Sequence, residues 1–207
     1  MDEENMIVDL ADLLDNVKDD IKNFDDYLNM RSALRREIMI GEIVDGTGPT
    51  VAAYIRFWNQ KDNENNIPIE EREPIKIYID SCGGYLVDTF TMIDAIRMSK
   101  TPVIGICTGQ ALSGGFFTFI SCHKRLAYPH ASFLFHEGAT QNGGTSGQFE
   151  NYASFYRVQL KQLKSIVLEN TNISDEEYES MKRDDIWYTT EEAIKKGIVD
   201  EVATNFY

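Results

Sequence analysis

One serine stands among glycines in the stretch Gly109-Gln110-Ala111-Leu112-Ser113-Gly114-Gly115, between two apolar runs at 102–108 and 116–120. A serine hydroxyl becomes a useful nucleophile when a neighbouring base takes its proton, and the base works best when a carboxylate fixes its tautomer. The chain has three histidines, so the search for a base is short. His123 lies in a polar turn, 121–125, and reads as a surface group. His130 follows Pro129 and reads as the cap of the next strand. His136 differs, because it ends the apolar run 132–135 just before Glu137-Gly138, where a buried strand presents a polar residue to a cleft. The carboxylate is not fixed by pattern among 34 acids. Asp184 and Asp185 both precede the aromatic pair Trp187-Tyr188, and bulky neighbours of that kind half-bury an acid. The order serine, histidine, late aspartate matches neither the α/β-hydrolase order nor those of chymotrypsin and subtilisin. Ala111-x-Ser113-x-Gly115 also lacks the first glycine of a G-x-S-x-G elbow.

The elements that must position these groups alternate along the chain. Residues 37–44 read as a strand ended by Asp45-Gly46-Thr47-Gly48-Pro49. A helix follows, with Pro49 in its first turn, where proline is tolerated. Residues 61–74 are polar, carry two prolines and predict a surface loop. Strand 75–79, the turn Asp80-Ser81-Cys82-Gly83-Gly84 and a helix with Leu86, Phe90, Ile93 and Ile96 on one face come next. After strand 103–107 and the serine turn, the helix at 116–120 is apolar all round, hence buried. Strands at 125–128 and 132–136 precede a glycine-rich segment and a long helix over 149–170. Its apolar positions Phe155, Val158, Leu163 and Ile166 suit either the core or a contact between subunits. Ser174 with Glu177 three residues on is a capping-box signature. A helix closed by Gly197 and a strand over 198–203 end the pattern. Strands alternating with helices define an α/β protein. Ahead of it, Ile7, Leu10, Leu13, Leu14, Val17, Ile21, Phe24 and Leu28 recur at helical spacing, so residues 1–34 predict an acidic helical segment preceding the main domain at 35–207.

Composition narrows the function. The 207 residues carry a net charge of −14, and residues 1–30 supply −8 of it through ten acids against two lysines. That balance argues against a nucleic-acid partner, which normally requires basic surface. No run approaches the ~18 apolar residues of a membrane span. The opening Met1-Asp2-Glu3-Glu4-Asn5 is unlike a secretory signal. Cys82, Cys107 and Cys122 are odd in number and lack metal-ligand spacing, so reduced thiols and a cytoplasmic location are expected, with no metal and no cofactor.

The blocks "IYIDSCGG", "ICTGQALSGG", "RLAYPHASFLFHEG", "GGTSGQ" and "DIWYTTEEAIKKGIVDEV" together resemble, in order and spacing, the proteolytic subunit of Clp protease, a family of serine peptidases. The resemblance covers about Arg36 to Val202. It implies an α/β fold shared with crotonases, built of repeated β-β-α units with a protruding handle strand and helix at about 138–170. It implies Ser113 as nucleophile, His136 as base and Asp185 as orienting acid, with a rival register on Arg183-Asp184. The family's oxyanion hole falls on the backbone N–H groups of Gly83 and Gly114. Its substrate-pairing segment falls on Gly143, Gly144, Thr145, Ser146 and Gly147, and positions in its partner pocket fall on Tyr78 and Ile93. The resemblance further implies polypeptide substrates, a homo-oligomer of heptameric rings stacked as a tetradecamer, and a separate AAA+ unfoldase as the only user of ATP.

Several positions depart from the family. Cys82 stands where a proline is usual, Gly114 where a methionine is, and Ile93 where a rim tyrosine is. Residues 61–74 hold an insertion, and the acidic N-terminus is unlike the family's short axial loop; departures of this type also occur in phage relatives. Two other readings stay open on the sequence: a catalytically silent ring subunit, and an acyl-CoA enzyme of the crotonase type.

Overall fold

Three isoleucines two residues apart set the middle of the sheet. In β2 (Ile75–Ser81), Ile75, Ile77 and Ile79 are wholly buried, while Lys76 and Tyr78 between them are half-buried on the other face. That alternation is the period of a pleated strand with one dry face. The computed structural model describes residues 24–141 and 143–205, and among these the strands form one seven-stranded sheet. Its spine runs β1 (Glu37–Ile40), β2, β3 (Val103–Leu112), β4 (Lys124–Ala127) and β7 (Glu201–Val202), all parallel.

β3 is long enough to serve two partners on one edge. Ile104 to Cys107 pair with β4, and Gln110 to Leu112 pair with β5 (Ser132–Phe135), setting Leu112 opposite Leu134. β5 in turn pairs antiparallel with β6 (Ile186–Thr189), setting Phe135 opposite Ile186. The sheet forks there, and the fork brings three distant stretches of chain to one place.

Helices α1 (Phe24–Leu34), α2 (Thr47–Glu64), α3 (Leu86–Met98), α4 (Gly114–Ile120), α5 (Ser146–Asn170), α6 (Asp175–Met181) and α7 (Thr190–Lys195) complete the described elements. α2 buries Gly48, Val51, Ile55, Trp58 and Asp62, the spacing of one helical stripe. Every residue of α4 is buried, as its all-round apolar composition requires. Its Phe116 meets Phe135 of β5 edge to face, with ring centroids 6.0 Å apart. The opposite face of the sheet holds a smaller cluster, Ile106, Leu126 and Ala203 with Tyr78, Ile104 and Tyr128 against it.

The structure differs from the sequence reading at several boundaries. The strand expected over 37–44 stops at Ile40, and Ile43 keeps only an isolated bridge to Gly84. The loop expected over 61–74 begins as helix: α2 continues to Glu64, and a 3₁₀ turn spans Ile69–Glu71. The cause is Asp62. Its carboxylate is wholly buried and bidentate to Arg36 at 2.6 and 2.9 Å, and it accepts from Thr101 Oγ1 at 2.7 Å. The Arg36 guanidinium also stacks over Trp58 at 4.5 Å. Burial would raise the Asp62 carboxyl, but hydrogen bonds from Arg36 and Thr101 outweigh it and hold the group below the usual carboxylate range. Of the helix expected in 1–34, α1 contains the last part, and the positions from Ile7 to Ile21 lie outside the described residues. In α5, Leu163 and Ile166 join the core, whereas Phe155 and Val158 remain exposed.

Candidate active site

Ser113 sits where β3 hands over to α4, with φ 52° and ψ −119°. A positive φ on a residue with a Cβ costs on the order of 1–3 kcal/mol and marks a backbone held by its surroundings. Three contacts hold it here. Ser113 N–H donates to Leu134 O at 3.0 Å, and Ser113 O accepts from Phe117 N at 3.2 Å. The turn after β2 supplies the third: a Cβ on Gly83, whose φ is +92°, would lie 2.7 Å from Ser113 Cβ and 2.9 Å from Gly114 N. The two turns therefore meet backbone to backbone, and only a residue without a side chain fits at Gly83. Gly114 is enforced separately, since a Cβ there would lie 2.5 Å from Thr89 Oγ1.

The register of the fork places the other two groups. His136 is one residue beyond Phe135, and Asp185 is one before Ile186, so the pairing of Phe135 with Ile186 sets His136 opposite Asp185. His136 Nδ1 lies 3.2 Å from Asp185 Oδ1, with the imidazole 30% exposed and the carboxylate 65% exposed. Asp184 falls one step further along, and its N–H closes the end of α6 on Met181 O at 3.0 Å. Ser113 and His136 line one cleft of about 950 Å³. Among the described residues, no hydrogen bond joins the Ser113 hydroxyl to His136.

The backbone donors are arranged unequally. Gly83 N–H donates to Ser81 Oγ at 3.1 Å, so it is engaged in this state. Gly114 N–H opens the first turn of α4, where an amide has no partner within its own helix. A hydroxyl, an imidazole with a carboxylate behind it, and amides beside the hydroxyl form the set that acyl transfer through a serine requires.

The remaining expected positions fare differently. Gly143 and Gly144 precede α5, but Thr145 is its N-cap, and Ser146 and Gly147 form its first turn. The Thr145 hydroxyl and Gln148 make a reciprocal capping box, so this segment is not the extended strand that substrate pairing would need. The expected handle strand is also absent among the described residues between Phe135 and Ser146. Ile93 is 1% exposed in the main core, so it cannot line a surface pocket. Tyr78 lies on the opposite face of the sheet, half-buried in the smaller cluster. His130 is exposed, and His123 Nδ1 accepts from Val103 N at 2.9 Å.

Sequence reasoning missed the groups that complete the cleft. Thr89, Phe117, Tyr152, Tyr156 and Leu163 all line it. Thr89 carried no signal, whereas Tyr152 and Tyr156, one helical turn apart on a largely polar helix, were a legible pair. Among the described residues, no cluster of three His, Cys, Asp or Glu side chains could hold a metal ion. No helix among them is long and apolar enough to cross a membrane.

Parallel strands whose carboxyl ends deliver polar groups to a crevice define this as an α/β protein of the kind that binds its ligand at the strand ends. The chain belongs to the Clp protease family, whose model matches residues 27–206. It is 29% identical over 182 residues to the ATP-dependent Clp protease proteolytic subunit 1 of Streptomyces avermitilis, covering 86% of this chain and 80% of that protein. It is likewise 29% identical over 185 residues to the ATP-dependent Clp protease proteolytic subunit 2 of Prochlorococcus marinus, covering 84% of each.

Proposed function

We propose that the chain is a serine endopeptidase that hydrolyses peptide bonds of unfolded or delivered polypeptides through Ser113, His136 and Asp185. The observation that carries the reading is the strained Ser113 at φ 52°, in one cleft with a His136–Asp185 pair at 3.2 Å. In the reaction His136 Nε2 takes the proton of Ser113 Oγ as the oxygen attacks the carbonyl, and Asp185 stabilises the imidazolium that forms. His136 then returns the proton to the leaving amine, and water repeats the cycle on the acyl-enzyme. The Gly114 N–H, joined by the Gly83 N–H once it turns from Ser81 Oγ, receives the oxyanion.

The exposed Phe149, Phe155 and Val158 on α5 suit burial between subunits. They support a homo-oligomer; stacked heptameric rings enclosing the clefts, with an unfoldase delivering substrate, are what membership of the Clp protease family suggests. Such a chamber would need no ATP of its own. A second reading, a catalytically silent structural ring subunit, is favoured by the Ser113 hydroxyl, which has no hydrogen-bond partner among the described residues, and by the engaged Gly83 N–H.

Fluorophosphonate labelling with mass-spectrometric site mapping separates the two, read alongside the oligomer mass. Modification at Ser113, lost in Ser113→Ala and dependent on His136, is expected of the peptidase. An intact ring that leaves Ser113 unmodified under every condition would establish the silent subunit.

A further inference from the structure

The loop that follows His136 has no regular secondary structure, yet tyrosine hydroxyls hold it at three points. Tyr156 Oη donates to Glu137 O at 3.0 Å, and Tyr178 Oη donates to the Glu137 carboxylate at 3.3 Å. Tyr152 Oη and Thr140 Oγ1 share a hydrogen bond of 2.6 Å. Tyr152 and Tyr156 stand one turn apart on α5, their rings within 9° of parallel and 6.3 Å apart. Together they lay residues 137–140 along that helix.

His136 needs such support from outside its own ring. The imidazole's one hydrogen-bond partner among the described residues is Asp185, a mostly exposed side chain just ahead of β6. The Glu137 carbonyl lies in the planar peptide that joins Glu137 to Gly138, so holding it holds Glu137 Cα, the chain position next to His136, and limits how far the His136 backbone can shift. The next residue, Gly138, has φ +80°, and a Cβ there would find Tyr156 Oη at 3.9 Å as its nearest neighbour. A left-handed glycine here lets the main chain turn once the hydroxyl on the Glu137 carbonyl is removed, because the Tyr178 bond reaches only the flexible Glu137 side chain. Burial above all, then Glu137 and Tyr152, pushes the Tyr156 phenol above its ordinary value, so it stays a donor through neutral pH.

We propose that Tyr156 is a positioning residue for His136, acting through the Glu137 main chain, with Tyr152 holding the far end of the same loop on α5. The consequence for catalysis rests on the peptidase reading above; the effect on His136 does not.

The test is Tyr156→Phe in the full-length protein, which keeps the ring and removes one hydroxyl. Diethyl pyrocarbonate modification, mapped by mass spectrometry, reads His136 directly, with His123 and His130 as internal references. His136 is expected to react about fivefold faster, the scale of one neutral hydrogen bond lost, while the references do not change. Ser113 labelling by the fluorophosphonate is expected to slow by about the same factor, and not to slow further when Tyr156→Phe is added to His136→Ala. Tyr152→Phe gives the same pattern at smaller size and serves where Tyr156→Phe fails to assemble. An unchanged His136 modification rate, or a slowing at Ser113 of equal size in the His136→Ala background, overturns the proposal. A faster His136 in a protein whose wild type is never labelled at Ser113 leaves the positioning in place and removes the peptidase reading.

Discussion

Replacing Asp185 by asparagine removes the charge that faces His136 while keeping the shape of the side chain. The separation of 3.2 Å sets the size of the effect. At that distance a carboxylate attracts the imidazolium of the transition state by ~1 kcal/mol in bulk water and ~5 kcal/mol at the effective dielectric of a protein surface. Those limits correspond to factors of about 10 and several thousand in rate. The Asp185 carboxylate is 65% exposed, so water screens the pair, and the lower part of the range, ~10- to 100-fold, is expected for a site left open to solvent. An assembly that covers the cleft moves the value upward. The assay is the second-order rate of fluorophosphonate labelling at Ser113, which needs no knowledge of the natural substrate. Asp184→Asn is the matched control and is expected to change the rate by less than about twofold, because exposed charges without a close partner contribute little. Equal losses in the two variants, or a larger loss at Asp184, would refute the register argument, and with it the assignment of the acid.

Three further outcomes follow from the packing. Gly114→Ala drives a Cβ to 2.5 Å from Thr89 Oγ1 and breaks the bond of that hydroxyl to Tyr85 O at 2.9 Å; thermal unfolding should show a loss of ~1–3 kcal/mol, largely restored by Thr89→Ala in the same chain. Asp62→Ala leaves the Arg36 guanidinium buried without its carboxylate, which costs ~3–5 kcal/mol, or roughly 6–20 °C in melting temperature for a chain of this size. Because the folded Asp62 carboxyl is held below its unfolded value, its contribution is present above the ordinary carboxylate range and is lost as pH falls through the lower folded value. The acid limb of the stability curve should therefore flatten in Asp62→Ala, and an unchanged limb would count against the pair. Finally, burial pushes the thiols of Cys107 and Cys122 up to about 12, whereas Cys82 is exposed. Iodoacetamide at mildly alkaline pH should modify Cys82 alone in the folded protein, and rapid reaction at either of the others would contradict their burial.

The sequence by itself determined what depends on short-range pattern. Strand β2 was legible because isoleucine at every second position has one stable solution, a pleat with one face dry. The all-apolar helix after Ser113 was legible for the same reason, and Ser113 and His136 could be singled out because each ends an apolar strand at a break. The preference for Asp185 over Asp184 came from the family resemblance and not from the acids themselves. Two adjacent aspartates differ only in which face of a strand they take, and a one-residue slip exchanges those faces. The pairing of Phe135 with Ile186 is what sets Asp185 opposite His136. Tertiary structure likewise extended α2 through Glu64, since nothing local announces that Asp62 will meet Arg36 across 26 residues. The cap at 145–147 was local by contrast: Thr145 with Gln148 three residues on is a capping-box pattern, and each satisfies the other's backbone amide. Long-range packing set Tyr152 and Tyr156 against the loop after His136, whereas the burial of Ile93 was already written in the apolar helix face it shares with Leu86, Phe90 and Ile96. A propensity sees only its neighbours in the chain, and the Asp62–Arg36 pair, the register of Asp185 on His136 and the tyrosine contacts were each decided by a partner that becomes a neighbour only after folding.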